Sequence, residues 1–398
     1  MLLKARWVIP IISSPIENGA ILIDRNRIEA VGLQKDFLGK NSEETIDLGN
    51  TVLFPGLVNA HCHLEFSNLR GKIKPGDSFT EWVRKLGKRL DPRLRGDDRI
   101  IQGGTTTLAD HCHPENLKMD PRLRGDEGGV RRIPFWEVLG ADRERAAASL
   151  KKALERASTE GGYVTPHSLY AVNKKVLAEI FNNPSSPPLN LRGGRVGLSS
   201  IHLLESADED QFFRSGSGPL ADYVLERGGV LPSSGSSLLK YILPSSLVVH
   251  GNYLNSDEID LLSRLECSVI HCPGSHRFFG HRRFPLEEIQ KRGILIALGT
   301  DSLASNDDLS MLREMRLLKE TYPALANEEI LGMATINGAK ALKIADQVGS
   351  LEKGKSADIV TVPWMGGDPY EAIFRAEKVS FSMIGGVNVP LCKGDYRG

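Results

Sequence analysis

Four stretches of this 398-residue chain end in side chains that bind metals or move protons. His61-Cys62-His63 sets two imidazoles two residues apart. In an extended segment such residues face the same way, so both can reach one ion. His202 is followed three residues later by Glu205, which lets a carboxylate lean over whatever the histidine binds. His250 closes the apolar run LVVH, and Asp301 closes ILIALGTD. Taken singly, a strand-end histidine can be structural and a strand-end aspartate can cap a helix. Taken together, the four ends describe a site of three histidines and one carboxylate, a donor set that suits zinc or iron. Glu65, just past the first pair, is a candidate substrate contact. A second pair, His111-Cys112-His113, is either an auxiliary metal or substrate site or plain loop.

Eight apolar runs carry or separate these residues. They are Leu57–His61, Thr105–Asp110, Ile133–Leu139, Tyr163–His167, Leu198–Leu203, Leu247–His250, Ser268–Cys272 and Ile294–Asp301. Longer stretches of helical character lie between them. Near-continuous apolar strands alternating with helices predict a parallel sheet buried on both faces. Eight of them predict a (β/α)8 barrel, whose active site lies at the C-terminal strand ends. The chemistry-bearing residues above fall at those ends. The barrel is expected over residues 54–345. The flanking segments, 1–53 and 346–398, read as short strands and are expected to form one small β-sandwich domain. Ala20–Asp24 and Arg27–Val31, for example, flank Arg25-Asn26 as a hairpin. The fold class is therefore α/β.

Composition narrows the function. Fifty Lys+Arg balance fifty Asp+Glu, so the basic excess of a nucleic-acid binder is missing. No apolar run approaches the roughly 20 residues that span a bilayer, and MLLKARWVIPII lacks a signal-peptide layout. Five scattered cysteines form neither a disulfide framework nor a C-x-x-C knuckle, which predicts a reducing cytoplasm. The heptapeptide DPRLRGD occurs at 91–97 and again at 120–126, and residues 185–195 (SSPPLNLRGGR) share its character. Two copies do not make a solenoid. Rich in Pro, Gly and charge, they read as solvated loops, inserted like short repeats.

The motifs together resemble the amidohydrolase superfamily, in its mononuclear deaminase and chlorohydrolase branch. The matching text runs in order along nearly the whole chain: FPGLVNAHCHLEFS (54–67), TPHSLYAVN (165–173), IHLLES (201–206), VVHGNYL (248–254), HCPGSHRFFGH (271–281), LGTDSLASN (298–306), MATINGAKAL (333–342) and LEKGKSADIV (351–360). The resemblance implies that His61, His63, His202 and Asp301 hold one divalent metal ion per chain, zinc or iron. It implies that Glu205 is the acid/base, that His250 steadies the attacking oxygen, and that His167 contacts substrate. The run Tyr163–His167 holds no lysine of the kind the binuclear branch carboxylates, so one metal is expected. The unrelated zinc-deaminase signature H-x-E with P-C-x-x-C is absent.

The implied activity is hydrolytic deamination of an amino-substituted N-heterocycle, an adenine-type nucleoside derivative. The HLEFS and GTDSLASN text is most similar to aminodeoxyfutalosine deaminases, with S-adenosylhomocysteine/methylthioadenosine deaminases beside them. Alternatives are a chlorohydrolase or cyclic-amide hydrolase of the same fold, and a non-catalytic barrel scaffold. The expected partner is a small-molecule substrate, with no nucleic acid and no membrane; a homodimer is common in such families. The second DPRLRGD stands where the family has its second barrel helix, which predicts a less regular outer ring there.

Overall fold

In the computed structural model, residues 1–39, 44–76, 78–86, 98–115, 129–182, 198–232 and 234–391 are described. Both DPRLRGD copies, the segment 185–195 and Cys392 lie outside them. Among the described residues sixteen strands form three sheets. The first five strands are β1 (Leu2–Val8), β2 (Ile16–Asp24), β3 (Arg27–Leu33), β4 (Thr45–Asp47) and β5 (Thr51–Pro55). The eight predicted runs follow as β6 (Leu57–Cys62), β7 (Thr105–Cys112), β8 (Arg131–Val138), β9 (Tyr163–Pro166), β10 (Ser200–Leu203), β11 (Leu247–His250), β12 (Ser268–His271) and β13 (Leu295–Leu298). The chain closes with β14 (Ile359–Pro363), β15 (Phe381–Ile384) and β16 (Val387–Asn388).

The eight central strands are parallel and make two four-stranded sheets, β6-β7-β8-β9 and β10-β11-β12-β13. These sheets meet at both edges. At one edge Ser168 bridges to His202, and the His202 N–H donates to the His167 carbonyl at 3.0 Å. At the other, Cys62 bridges to Asp301, and the Thr300 N–H donates to the His61 carbonyl at 3.0 Å. Gly299 permits that second approach, because a Cβ there would lie 2.8 Å from the His61 carbonyl oxygen.

The strands alternate with period two between two apolar clusters, as both-face burial requires. Leu57, Val248, Val269 and Leu298 join one cluster, together with Met311 and Met315 of the helix Met311–Thr321. Their neighbours Val58, Val249, Ile270 and Ala297 join the other. Each large apolar side chain so buried stabilises the fold by about 1.5–3 kcal/mol.

Both chain ends contribute to the third sheet, ordered β16-β15-β14-β5-β1-β2-β3 with β4 beside β1. The expected hairpin is β2–β3, where Asp24 pairs with Arg27 and Arg25 takes a left-handed φ of 53°. The expected boundary at residue 54 falls inside β5, which pairs with β1 and β14. Among the described residues no helix is long and apolar enough to cross a membrane.

Candidate metal centre

Histidines from β6 and β10 converge on one point. The His202 Nε2 lies 3.2 Å from the Nε2 of His61 and 3.2 Å from the Nε2 of His63. Asp301 Oδ1 lies 3.7 Å from His61 Nε2 and 3.8 Å from His63 Nε2. The other Asp301 oxygen, Oδ2, accepts hydrogen bonds from Ser275 and Ser305, both at 2.7 Å. The aspartate is thereby turned so that Oδ1 faces the imidazoles.

The backbone bends sharply to deliver these groups. Leu204, His250 and Asp301 take left-handed φ values of 49°, 69° and 56° just where their strands end. For residues other than glycine such backbone costs about 1–3 kcal/mol each.

Glu205 sits at the turn from β10 into the helix Ala207–Ser215, which Ser206 caps by accepting the Glu209 N–H. Its own N–H donates to Glu209 Oε2 at 2.8 Å, and its carbonyl accepts from the Asn252 amide at 2.9 Å. Both ends of the residue are thus held, and its Oε1 lies 3.6 Å from His250 Nε2.

Burial sets the electrostatics. It pushes the Glu205 carboxyl well above the usual carboxylate range, and the charge of Asp301 pushes the same way. It drives His250 down to about 3, so that imidazole is neutral. His61 and His202 are also lowered, first by burial and then by neighbouring imidazoles. Burial lowers His63 too, but the carboxylates of Glu137 and Asp301 outweigh it and leave His63 raised. For Asp301 burial works upward, yet the surrounding histidines outweigh it and hold the carboxyl well below its ordinary value.

The structure brings His61, His63, His202, His250, Glu205 and Asp301 together; overlapping trios of them have ligand atoms within 4.8 Å of one another. His167 stands beside them, its ring 4.3 Å from that of His202. Glu65 is buried and accepts the His113 N–H at 3.1 Å. The second pair is divided. His111 is part of β7, with Nε2 2.7 Å from the Ser200 hydroxyl, and His113 lies just past the strand. Among the described residues neither belongs to a group able to hold an ion.

Three residues escaped the sequence reading. Ser275, in the helix Pro273–Phe279, and Ser305, in a turn, orient Asp301, and a lone serine in either setting carries no signal of that. Glu137 accepts the His167 Nδ1–H at 2.8 Å and is held down to about 2, because His167 and His63 outweigh the upward push of burial. Its one signal is a lone acid inside the apolar run IPFWEVL.

The donor set fits a divalent ion of the zinc type. Zn–N bonds of about 2.0–2.1 Å in a tetrahedral site put two nitrogens roughly 3.3 Å apart. The 3.2 Å separations here are close to that spacing.

Residues 52–389 match the model of the amidohydrolase family, and the chain belongs to that family. It is 27% identical over 389 residues to a 5-methylthioadenosine/S-adenosylhomocysteine deaminase of Thermococcus sibiricus, covering 91% of this chain and 85% of the relative. Aminofutalosine deaminase of Helicobacter pylori, solved with methylthio-coformycin, superposes with a TM-score of 0.81 at 22% identity, over 98% of this chain and 100% of that one. An adenosine deaminase of Xanthomonas campestris with bound zinc gives 0.78 at 23% identity, over 97% and 92%. At these identities the likeness to the two solved structures is one of fold.

Proposed function

We propose that this chain is a metal-dependent hydrolytic deaminase of an adenine-type nucleoside derivative, working with one zinc or iron ion. The observation that carries this reading is the meeting of three Nε2 atoms and the Asp301 carboxylate beside a separately held Glu205. The deaminases among its relatives act on nucleosides of this class by name, which favours the same class here. In this reading residues 54–345 close into a (β/α)8 barrel with the site at its mouth. Residues 1–53 and 346–398 fold as one small β-sandwich domain.

His61, His63, His202 and Asp301 would hold the ion. When bound, such an ion supplies a water nucleophile near neutral pH, lowering the pKa of water from 15.7 to about 7. Glu205 moves the protons. It takes a proton from the attacking water and donates it to a ring nitrogen, which makes the adjacent carbon electrophilic. His250, neutral, hydrogen-bonds the attacking oxygen through Nε2. Asp301 and Glu205 then relay the remaining proton of that water to the exocyclic amine, and the C–N bond breaks to release ammonia. His167 and Glu65 contact the substrate beyond the reacting ring.

The experiment is a paired assay on the zinc-loaded chain. An adenine nucleoside and its 6-chloropurine analogue are compared for ammonia and chloride release. Faster ammonia release is expected. Faster chloride release would move the chain to the chlorohydrolase reading, since chloride leaves without protonation and makes no use of the relay.

A further inference from the structure

We infer that Glu137 is a positioning residue: one buried carboxylate that holds the ring of a substrate contact, His167, by a hydrogen bond and biases the tautomer of a metal ligand, His63, by its charge. This assignment rests on the proposed roles of those two histidines. Glu137 lies on β8 between Trp136 and Val138, both fully buried, and is itself 2% exposed. An ionised carboxylate in such a place costs several kcal/mol unless it is paired. Among the described residues its ion-pair partners are three imidazoles, each met at Nδ1. Oε2 lies 2.8 Å from His167 and 3.9 Å from His63, and Oε1 lies 3.6 Å from His202.

The consequence follows from the proton inventory. A carboxylate only accepts, and a neutral imidazole carries one N–H. The 2.8 Å bond therefore places an N–H of His167 on Nδ1 and fixes which edge of the ring faces Glu137. His202 has its Nδ1–H fixed independently by the His167 carbonyl at 2.8 Å. His63 Nδ1 has no hydrogen-bond partner among the described residues. At 3.9 Å from Oε2 it feels the charge of Glu137 without bonding to it, and that charge favours the Nδ1–H form. In that form the Nε2 of His63 keeps its lone pair for the ion. The same oxygen thus serves metal binding through His63 and substrate binding through His167. Outer carboxylates of this kind typically change metal affinity or activity 10–100-fold.

The test uses the full chain with Glu137→Gln, Glu137→Asp, His167→Ala and the double variant Glu137→Gln/His167→Ala. Zinc affinity is read by competition with a chromogenic chelator, and KM with 5-methylthioadenosine as the probe. Glu137→Gln should weaken zinc binding about 10–100-fold, and Glu137→Asp should restore part of it. His167→Ala should leave zinc affinity as in the parent. Glu137→Gln should raise KM in the parent but add nothing in the His167→Ala background. Parent-like zinc affinity and KM in Glu137→Gln would overturn the inference while leaving the metal centre standing. So would a lowered melting temperature with unchanged zinc affinity. A parent chain that binds no zinc would overturn the proposed function itself, and this inference with it.

Discussion

His61-Cys62-His63 closes β6, and His111-Cys112-His113 closes β7, its neighbour in the sheet. The tripeptide is the same, but its surroundings differ. On β6 the pairing with β7 shifts register between Asn59 and Cys62, and Cys62 bridges to Asp301 across the seam. Both histidines of that copy then reach His202. On β7 the pairing with β8 runs unshifted from Thr107 to Cys112. His111 lies flat on Phe135, with ring centroids 4.5 Å apart, and its Nε2 meets Ser200. His113 lines a cavity of about 370 Å³ with Tyr170, Tyr223 and Arg227. Spacing decides that two side chains share a side; the neighbouring strand decides what waits there.

The contrast is sharpest if the first pair is broken. His63→Ala should take zinc content from about one per chain to near zero and abolish turnover, whereas His113→Ala should keep the metal. Elemental analysis of both purified variants checks this, and equal metal loss would erase the distinction.

Glu205→Gln probes a residue of the same centre that is not assigned as a ligand. Turnover should fall about 10²-fold or more while the zinc content stays unchanged. Metal loss in this variant would instead make Glu205 a ligand.

His111→Ala should cost stability rather than metal. Removing a ring buried against Phe135 destabilises by about 3 kcal/mol, by analogy with aromatic-to-alanine changes in cores. A denaturant midpoint measures the loss, and unchanged zinc stoichiometry is the accompanying result.

The smallest effect concerns a carboxyl that faces the protein rather than the site. Glu314 is fully buried, and burial pushes it up to about 7 from an ordinary 4.5. The folded chain then holds a proton that the unfolded chain releases between those values, so stability falls as pH rises from about 4.5 to 7. Glu314→Gln should flatten that decline, read as melting temperature against pH. An unchanged slope would mean that the bonds from Asn306 and Gly274 keep Glu314 ionised.

Much of this molecule was legible in its sequence. All eight central strands appear as apolar runs, because burial on both faces leaves few positions for polar residues. The lone acid in IPFWEVL shows how such reading stops. Its presence was visible, but the side it faces depends on the pairing of β8 with β9, where Glu137 stands opposite Thr165.

Side-chain chemistry is intrinsic, so the sequence by itself determined the donor types: imidazoles and carboxylates at strand ends, with Glu205 three residues beyond His202. Tertiary structure alone decided which atoms meet. His63 and His202 are 139 residues apart in the chain and 3.2 Å apart in space. Ser275 and Ser305 select which oxygen of Asp301 faces the histidines. Glu137 gathers the Nδ1 atoms of three rings supplied by separate strand ends. Contacts of that kind depend on how strands distant in the chain register, and a one-residue slip would turn each of these side chains to the other face.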